Sequence, residues 1–128
     1  QMERIEELIN RKREIFKRYT ELLLKQHGLA MNPEKPDTIN GYWMPTVVFD
    51  KQTGITRESL QNTFLSEDID ARIFFYPLSS LAIFKAQSEN VNSYDISSRA
   101  INLPSYYDLS EEEICHVAAI IINMGYGN

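Results

Sequence analysis

The order of elements predicted along the chain, α-β-α-β-α-β-α, points to an α/β (α+β) fold: a small αβ sandwich with a long N-terminal helix and a short sheet of about three strands, helices on one face. Three observations predict it. Apolar residues recur at three- and four-residue steps through the first 27 positions, short aromatic and β-branched runs are closed by Pro or Gly, and a capped apolar helix ends the chain. With 128 residues and 43% apolar side chains, the chain can bury one core without disulfides or metal.

Met2, Ile5, Leu8, Ile9, Ile15, Phe16, Tyr19, Leu22 and Leu23 define one amphipathic helix over residues 2–27, with Gly28 where a left-handed C-terminal residue is wanted. No residue caps its start. A long helix that begins at the first residue is expected to be a connector, residues 1–27, cut from a longer polypeptide, with the domain body at 28–128. Asn32, Pro33, Pro36, Asp37, Asn40 and Gly41 predict a loop over 29–41. Residues 42–49 predict a strand, to which Pro45 assigns an edge position or a bulge because it cannot donate to a ladder.

A turn at 50–54 leads to Thr56, the cap of a helix over 57–65 with Leu60, Phe64 and Leu65 inward. Residues 71–76 form the second strand, with Ile73 and Phe75 on one face and Arg72, Phe74 and Tyr76 on the other, stopped by Pro77. Residues 78–90 are a loop, 91–99 a short helix, and 100–103 a third strand ended by Pro104. Ser110 and Glu113 make a capping box, and Leu109 with Ile114 a hydrophobic staple, for a final helix whose buried stripe is Ile114, Val117, Ala118, Ile121 and Ile122 and which Gly125 follows.

Charge narrows the function classes. The formal net charge of -5 divides into +2 for residues 1–27 and -7 for the rest. Glu6 and Arg13, or Glu14 and Arg18, alternate in sign at helical spacing, the pattern of a solvated face, and the acidic body would repel a phosphate backbone. Nucleic-acid binding is not expected. The longest apolar run, Ala118 to Ile122, is far short of a membrane span, and the single Cys115 fits a reducing compartment, so the chain reads as cytoplasmic.

Candidate chemistry is sparse. The five glycines are isolated, so no phosphate-cradling loop follows a strand. Cys115 and His116 are adjacent on a helix and point about 100° apart, too divergent for a thiolate pair. Cys115 therefore reads as a small hydrophobe and His27 as a helix C-terminal cation. Glu67, Asp68 and Asp70 cluster in a turn, where solvation explains them. Arg72 differs: an arginine in an otherwise apolar strand must be paired internally or reach an anion, since its guanidinium keeps its charge. Both outcomes remain open, and Tyr76, Ser79 and Ser80 add aromatic and hydroxyl groups beside it.

Three separated segments carry a family likeness: Asp70-Ala-Arg-Ile-Phe-Phe-Tyr-Pro-Leu-Ser-Ser-Leu-Ala-Ile-Phe84, Ser98-Arg-Ala-Ile-Asn-Leu-Pro104, and Asp108-Leu-Ser-Glu-Glu-Glu-Ile-Cys-His-Val117. Together they resemble the C-terminal domain of the DegT/DnrJ-type sugar aminotransferases. The opening Asn10 to Tyr19 is similar to the helix that leads from that family's large domain into its small one.

The resemblance implies a fold type I aminotransferase small domain. In that family pyridoxal phosphate and the lysine that holds it belong to the large domain, and none of Lys12, Lys17, Lys25, Lys35, Lys51 and Lys85 lies in the corresponding motif. The family transfers an amino group, usually from glutamate, to a keto group of a nucleotide-linked sugar, and works as a homodimer with the site between subunits. No catalytic or metal-binding residue is carried over to this chain. The resemblance places Arg72 as a bidentate donor to a carboxylate or phosphate, with Tyr76 and Ser79 contacting sugar or phosphate oxygens. Many members have His where this chain has Ser79, which cannot carry a proton as an imidazole does. Two alternatives stand beside aminotransfer: sugar dehydration with the same cofactor, and a non-catalytic binding or association module.

Overall fold

In the computed structural model, which describes residues 2–126, the apolar spacing of the opening residues becomes helix α1 (Ile5–Leu23), preceded by a 3₁₀ turn at Met2–Arg4. Ile15, Tyr19 and Leu23 are fully buried on its inner face, and Phe16 stacks flat on Tyr42 with ring centroids 3.6 Å apart. No side chain caps the N-terminus. The helix stops short of residue 27, where Leu24 N–H returns to the Thr20 carbonyl, so His27 lies beyond the helix end. Gly28, at φ 81°, serves the next turn instead: its carbonyl accepts Asp50 N–H at 2.8 Å.

That turn launches β1 (Leu29–Met31), inside the predicted loop, and raises the sheet to four strands. The turn-forming residues begin only at Asn32, which leaves the apolar triplet before them free to pair. β1 runs antiparallel to β2 (Thr46–Phe49), with Ala30 opposite Val48. β4 (Ala100–Asn102) pairs antiparallel with β2 on its other side, Val47 opposite Ile101. β3 (Arg72–Ile73) closes the order β1-β2-β4-β3.

β2 is therefore interior, which corrects the position assigned from Pro45. That residue sits one place before the ladder begins, where no N–H is needed, and its carbonyl still accepts Leu103 N–H at 2.8 Å. β3 is an edge strand, as β1 is on the other side, and only two residues long, so Phe74 to Tyr76 leave the sheet rather than continuing its alternation.

The remaining helices are α2 (Arg57–Ser66), α3 (Val91–Ser97) and α4 (Glu111–Tyr126). α2 begins at a reciprocal cap in which Thr56 and Ser59 exchange side-chain and backbone bonds. α4 begins as its sequence predicts: Ser110 N–H donates to Glu113 Oε2 at 2.8 Å and Glu113 N–H to Ser110 Oγ at 3.2 Å. It continues through Gly125 instead of ending there.

Val47, Phe49 and Ile101 from one sheet face join Ile15, Tyr19 and Leu23 of α1, Leu60 and Phe64 of α2, and Ile114, Val117 and Ile121 of α4 in a single core. Each such side chain contributes about 1.5–3 kcal/mol on burial. No helix among the described residues is long and apolar enough to cross a membrane.

Candidate functional site

Arg72 stands on the edge strand, and the edge decides its environment. Its side chain is 74% exposed and its carboxylate partner is Asp70, at 3.6 Å from Oδ2 and itself exposed. A pair of that kind is worth about 0–1 kcal/mol in water, so the guanidinium keeps most of its donors for another partner. Arg72 lines a cleft of about 530 Å³ whose floor is apolar, with Ile69, Leu103 and Val117, and whose rim carries Asp68, Asp70, Glu113 and His116.

The rim is mostly acidic. Tyr106 Oη donates to Glu113, and with the bonds from Ser110 this holds the Glu113 carboxyl down to about 2, so it is ionised at neutral pH. His116 Nε2 is 3.9 Å from Glu67 Oε2. Trp43, 67% exposed at the cleft mouth, lies 6.5 Å from the Phe75 ring in a shallow stack and offers an aromatic face to a planar or sugar ligand. The cleft thus combines one forked cation, several hydroxyl-matching acceptors and an aromatic platform.

Tyr76 and Ser79 do not line this cleft. They occupy the segment that follows the edge strand and includes a 3₁₀ turn, Leu78–Ser80. The Arg57 guanidinium carbon stands 4.1 Å from the Tyr76 ring centroid. Ser79 Oγ is 3.1 Å from Tyr94 Oη, accepts Asn90 Nδ2–H at 3.3 Å, and leaves its neighbour Ser80 bonded to the Pro77 carbonyl. The three predicted residues therefore divide between a cleft wall and a segment beside it.

Sequence patterning does not single out Arg57, Trp43 or Tyr94. A signal exists for Arg57, because it precedes Leu60 and Phe64 by three and seven residues and so shares the inward face of α2. Its Nη2 donates to the Ser97 carbonyl, while Nε is buried without a partner.

Lysine is absent from the cleft walls. Lys12, the lysine closest to burial in character, is held by the Ser105 carbonyl and hydroxyl and by the Trp43 carbonyl at 3.4 Å. Burial pushes its amine pKa down, yet its protons are committed to those acceptors. Lys12 is therefore engaged with backbone and hydroxyl oxygens away from the cleft lining. Cys115 points its thiol at Glu111 Oε1, 3.5 Å away, and is only partly buried.

The sequence profile of the DegT/DnrJ/EryC1/StrS aminotransferase family matches residues 1–122. The GDP-perosamine synthase of Vibrio cholerae is 32% identical over 130 residues, which cover 96% of this chain and 34% of that protein. The GDP-perosamine synthase of Escherichia coli O157:H7 is 30% identical over 125 residues, 94% of this chain and 32% of that protein. The crystal structure of DesI with its TDP-sugar product superposes with a TM-score of 0.86 at 21% identity, covering 98% of this chain and 33% of that one. The chain spans about a third of the length of the relatives it matches.

Proposed function

Because the chain belongs to the DegT/DnrJ/EryC1/StrS aminotransferase family, we propose that it is the C-terminal part of a sugar aminotransferase, with residues 1–27 as the connector and 28–128 as the small domain. The enzyme moves an amino group, with glutamate as donor, to the keto carbon of a nucleotide-linked sugar. Two relatives that make GDP-perosamine, at 32% and 30% identity, favour a GDP-linked sugar and favour transfer over dehydration. Pyridoxal phosphate, on which this family depends, would be held with its lysine outside residues 1–128. The complete enzyme is read as a cytoplasmic homodimer.

The observation that carries this reading is the exposed guanidinium of Arg72, held only by a weak pair with Asp70, on the cleft wall beside Trp43. Arg72 binds a phosphate or carboxylate through its fork, and Trp43 packs on a ring of the same ligand. Tyr76 and Ser79 supply hydroxyls to sugar or phosphate oxygens from the adjoining segment. These residues bind and orient; none of them transfers a proton to the reacting carbon.

The test is the reading frame that carries this chain. It should encode a lysine-bearing segment making up about two-thirds of the polypeptide, the share by which the chain falls short of its relatives. The purified product should form 2-oxoglutarate from glutamate when given a GDP-linked keto sugar. A protein that binds no pyridoxal phosphate and releases no 2-oxoglutarate sinks the reading.

A further inference from the structure

The segment 76–80 is fastened at both ends to one short helix. At its start, Arg57 stacks on Tyr76 at 4.1 Å while Arg57 Nη2 holds the Ser97 carbonyl and its backbone N–H the Ser98 carbonyl, so the C-terminal end of α3 fixes the cation that fixes the ring. At its end, Tyr94 within α3 and Asn90 just before it meet Ser79 Oγ at 3.1 and 3.3 Å.

Arg57 is the more telling of the two anchors. It is 8% exposed, no carboxylate among the described residues pairs with it, and Nε lacks an acceptor. A buried cation in that state lowers stability, and an apolar residue of similar size would pack there more favourably. What it alone supplies is a directional attraction for the Tyr76 face.

We propose that Arg57, Tyr94 and Asn90 are positioning residues that fix segment 76–80 for the sugar nucleotide and make Ser79 a hydrogen-bond donor toward ligand oxygen; this rests on the reading of that segment as part of the substrate site. A serine hydroxyl rotates freely until its neighbours orient it. Asn90 can only donate to Ser79 Oγ. The 3.1 Å contact between the two hydroxyls can run in either direction; in the proposed arrangement Tyr94 donates, both lone pairs of Ser79 Oγ are filled, and the Ser79 proton is left for a ligand. Such a group selects a strong acceptor, a phosphate oxygen or the keto oxygen, over another donor.

The test uses the polypeptide that carries this chain, with amide hydrogen exchange read at Tyr76 and residues 78–80 and steady-state kinetics read with GDP-perosamine as amino-sugar probe and 2-oxoglutarate as acceptor. Tyr94→Phe and Arg57→Met should each speed exchange in the segment by about tenfold. They should raise KM for GDP-perosamine about three- to tenfold with kcat nearly unchanged. Arg57→Lys keeps a cation over the ring and should restore most of both effects, which a merely space-filling role would not predict. Exchange unchanged in Tyr94→Phe and Arg57→Met overturns the positioning role. Faster exchange with KM unmoved, and Ser79→Ala equally silent, overturns the donor role of Ser79. Failure of the wider functional reading shows differently, as absent turnover of glutamate in the unsubstituted protein.

Discussion

The Thr46 hydroxyl donates a 2.8 Å hydrogen bond to the side-chain carbonyl of Asn102 across the paired strands β2 and β4, and both residues are buried. The bond belongs to a longer stitch. Asn32 Oδ1, just past β1, accepts Thr46 N–H at 2.6 Å, and Asn102 Nδ2 reaches the Ile73 carbonyl of β3 at 3.4 Å. Short strands of two to four residues have few ladder bonds of their own, so side chains complete the sheet. Thr46→Val keeps the shape and strips the donor, leaving a buried carbonyl unsatisfied. Urea unfolding should show a loss of about 1–3 kcal/mol at unchanged m-value. A change within a few tenths would remove the stitch from the account of stability.

Gly28 sits at φ 81°, and a Cβ there would approach Thr53 Cγ2 to 3.1 Å. Left-handed backbone costs a residue with a Cβ about 1–2 kcal/mol, and the contact adds to it. Gly28→Ala should therefore lower the thermal midpoint, whereas Gly41→Ala, where an added Cβ meets nothing, should leave it nearly unchanged. Equal effects at the two sites would contradict the strained turn.

Local signals were legible wherever the physics that decides them is local. The Thr56 and Ser110 caps, the inward stripe of α4 and the helix–strand order are all written in spacings of a few residues. β1 was not legible, because Leu29–Met31 acquires its identity from pairing with Phe49, Val48 and Val47, which lie well beyond the reach of local sequence pattern. Pro45 misled for the same reason: its effect depends on whether it stands inside or just before the ladder. At the site, Arg72 was visible as an anomaly of type, but its exposure follows from β3 being an edge of two residues, which is a property of the sheet. Arg57 was hidden because an arginine after a cap reads as solvated charge until α3 is seen to cover it.

Acid should unfold this protein across a defined window. Arg4 holds the Glu7 carboxyl at about 2, Arg13 holds Glu34 at about 2, Arg99 holds Asp95 at about 2, and Tyr106 does the same for Glu113. In the unfolded chain these groups return to their ordinary values near 4. Between about pH 4.5 and 2 the unfolded state then binds protons that the folded state does not, so stability is full above that range and falls as pH drops through it. Urea midpoints measured from pH 6 to 2 should decline over that interval. Asp95→Asn, which removes one of these four groups, should flatten the decline; a slope unaffected by it would mean that Arg99 does not hold that carboxylate in solution.

Arg72→Ala separates binding from folding. The side chain is 74% exposed and its Asp70 partner is 86% exposed, so its removal should change stability by no more than about 0.5 kcal/mol. In the polypeptide that carries this chain, loss of a charged, forked donor should lower kcat/KM for a GDP-linked keto sugar about ten- to a hundredfold. The visible spectrum of the bound cofactor should not change, since no residue of this cleft is assigned to it. Arg72→Lys should recover only part of the loss, because a lysine restores the charge and not the two parallel donors. Asp70→Ala sharpens the comparison: if the weak 3.6 Å pair only restrains Arg72 while the ligand is absent, removing Asp70 should leave kcat/KM equal or slightly higher. A fall as large as that of Arg72→Ala would instead make the pair itself the functional unit.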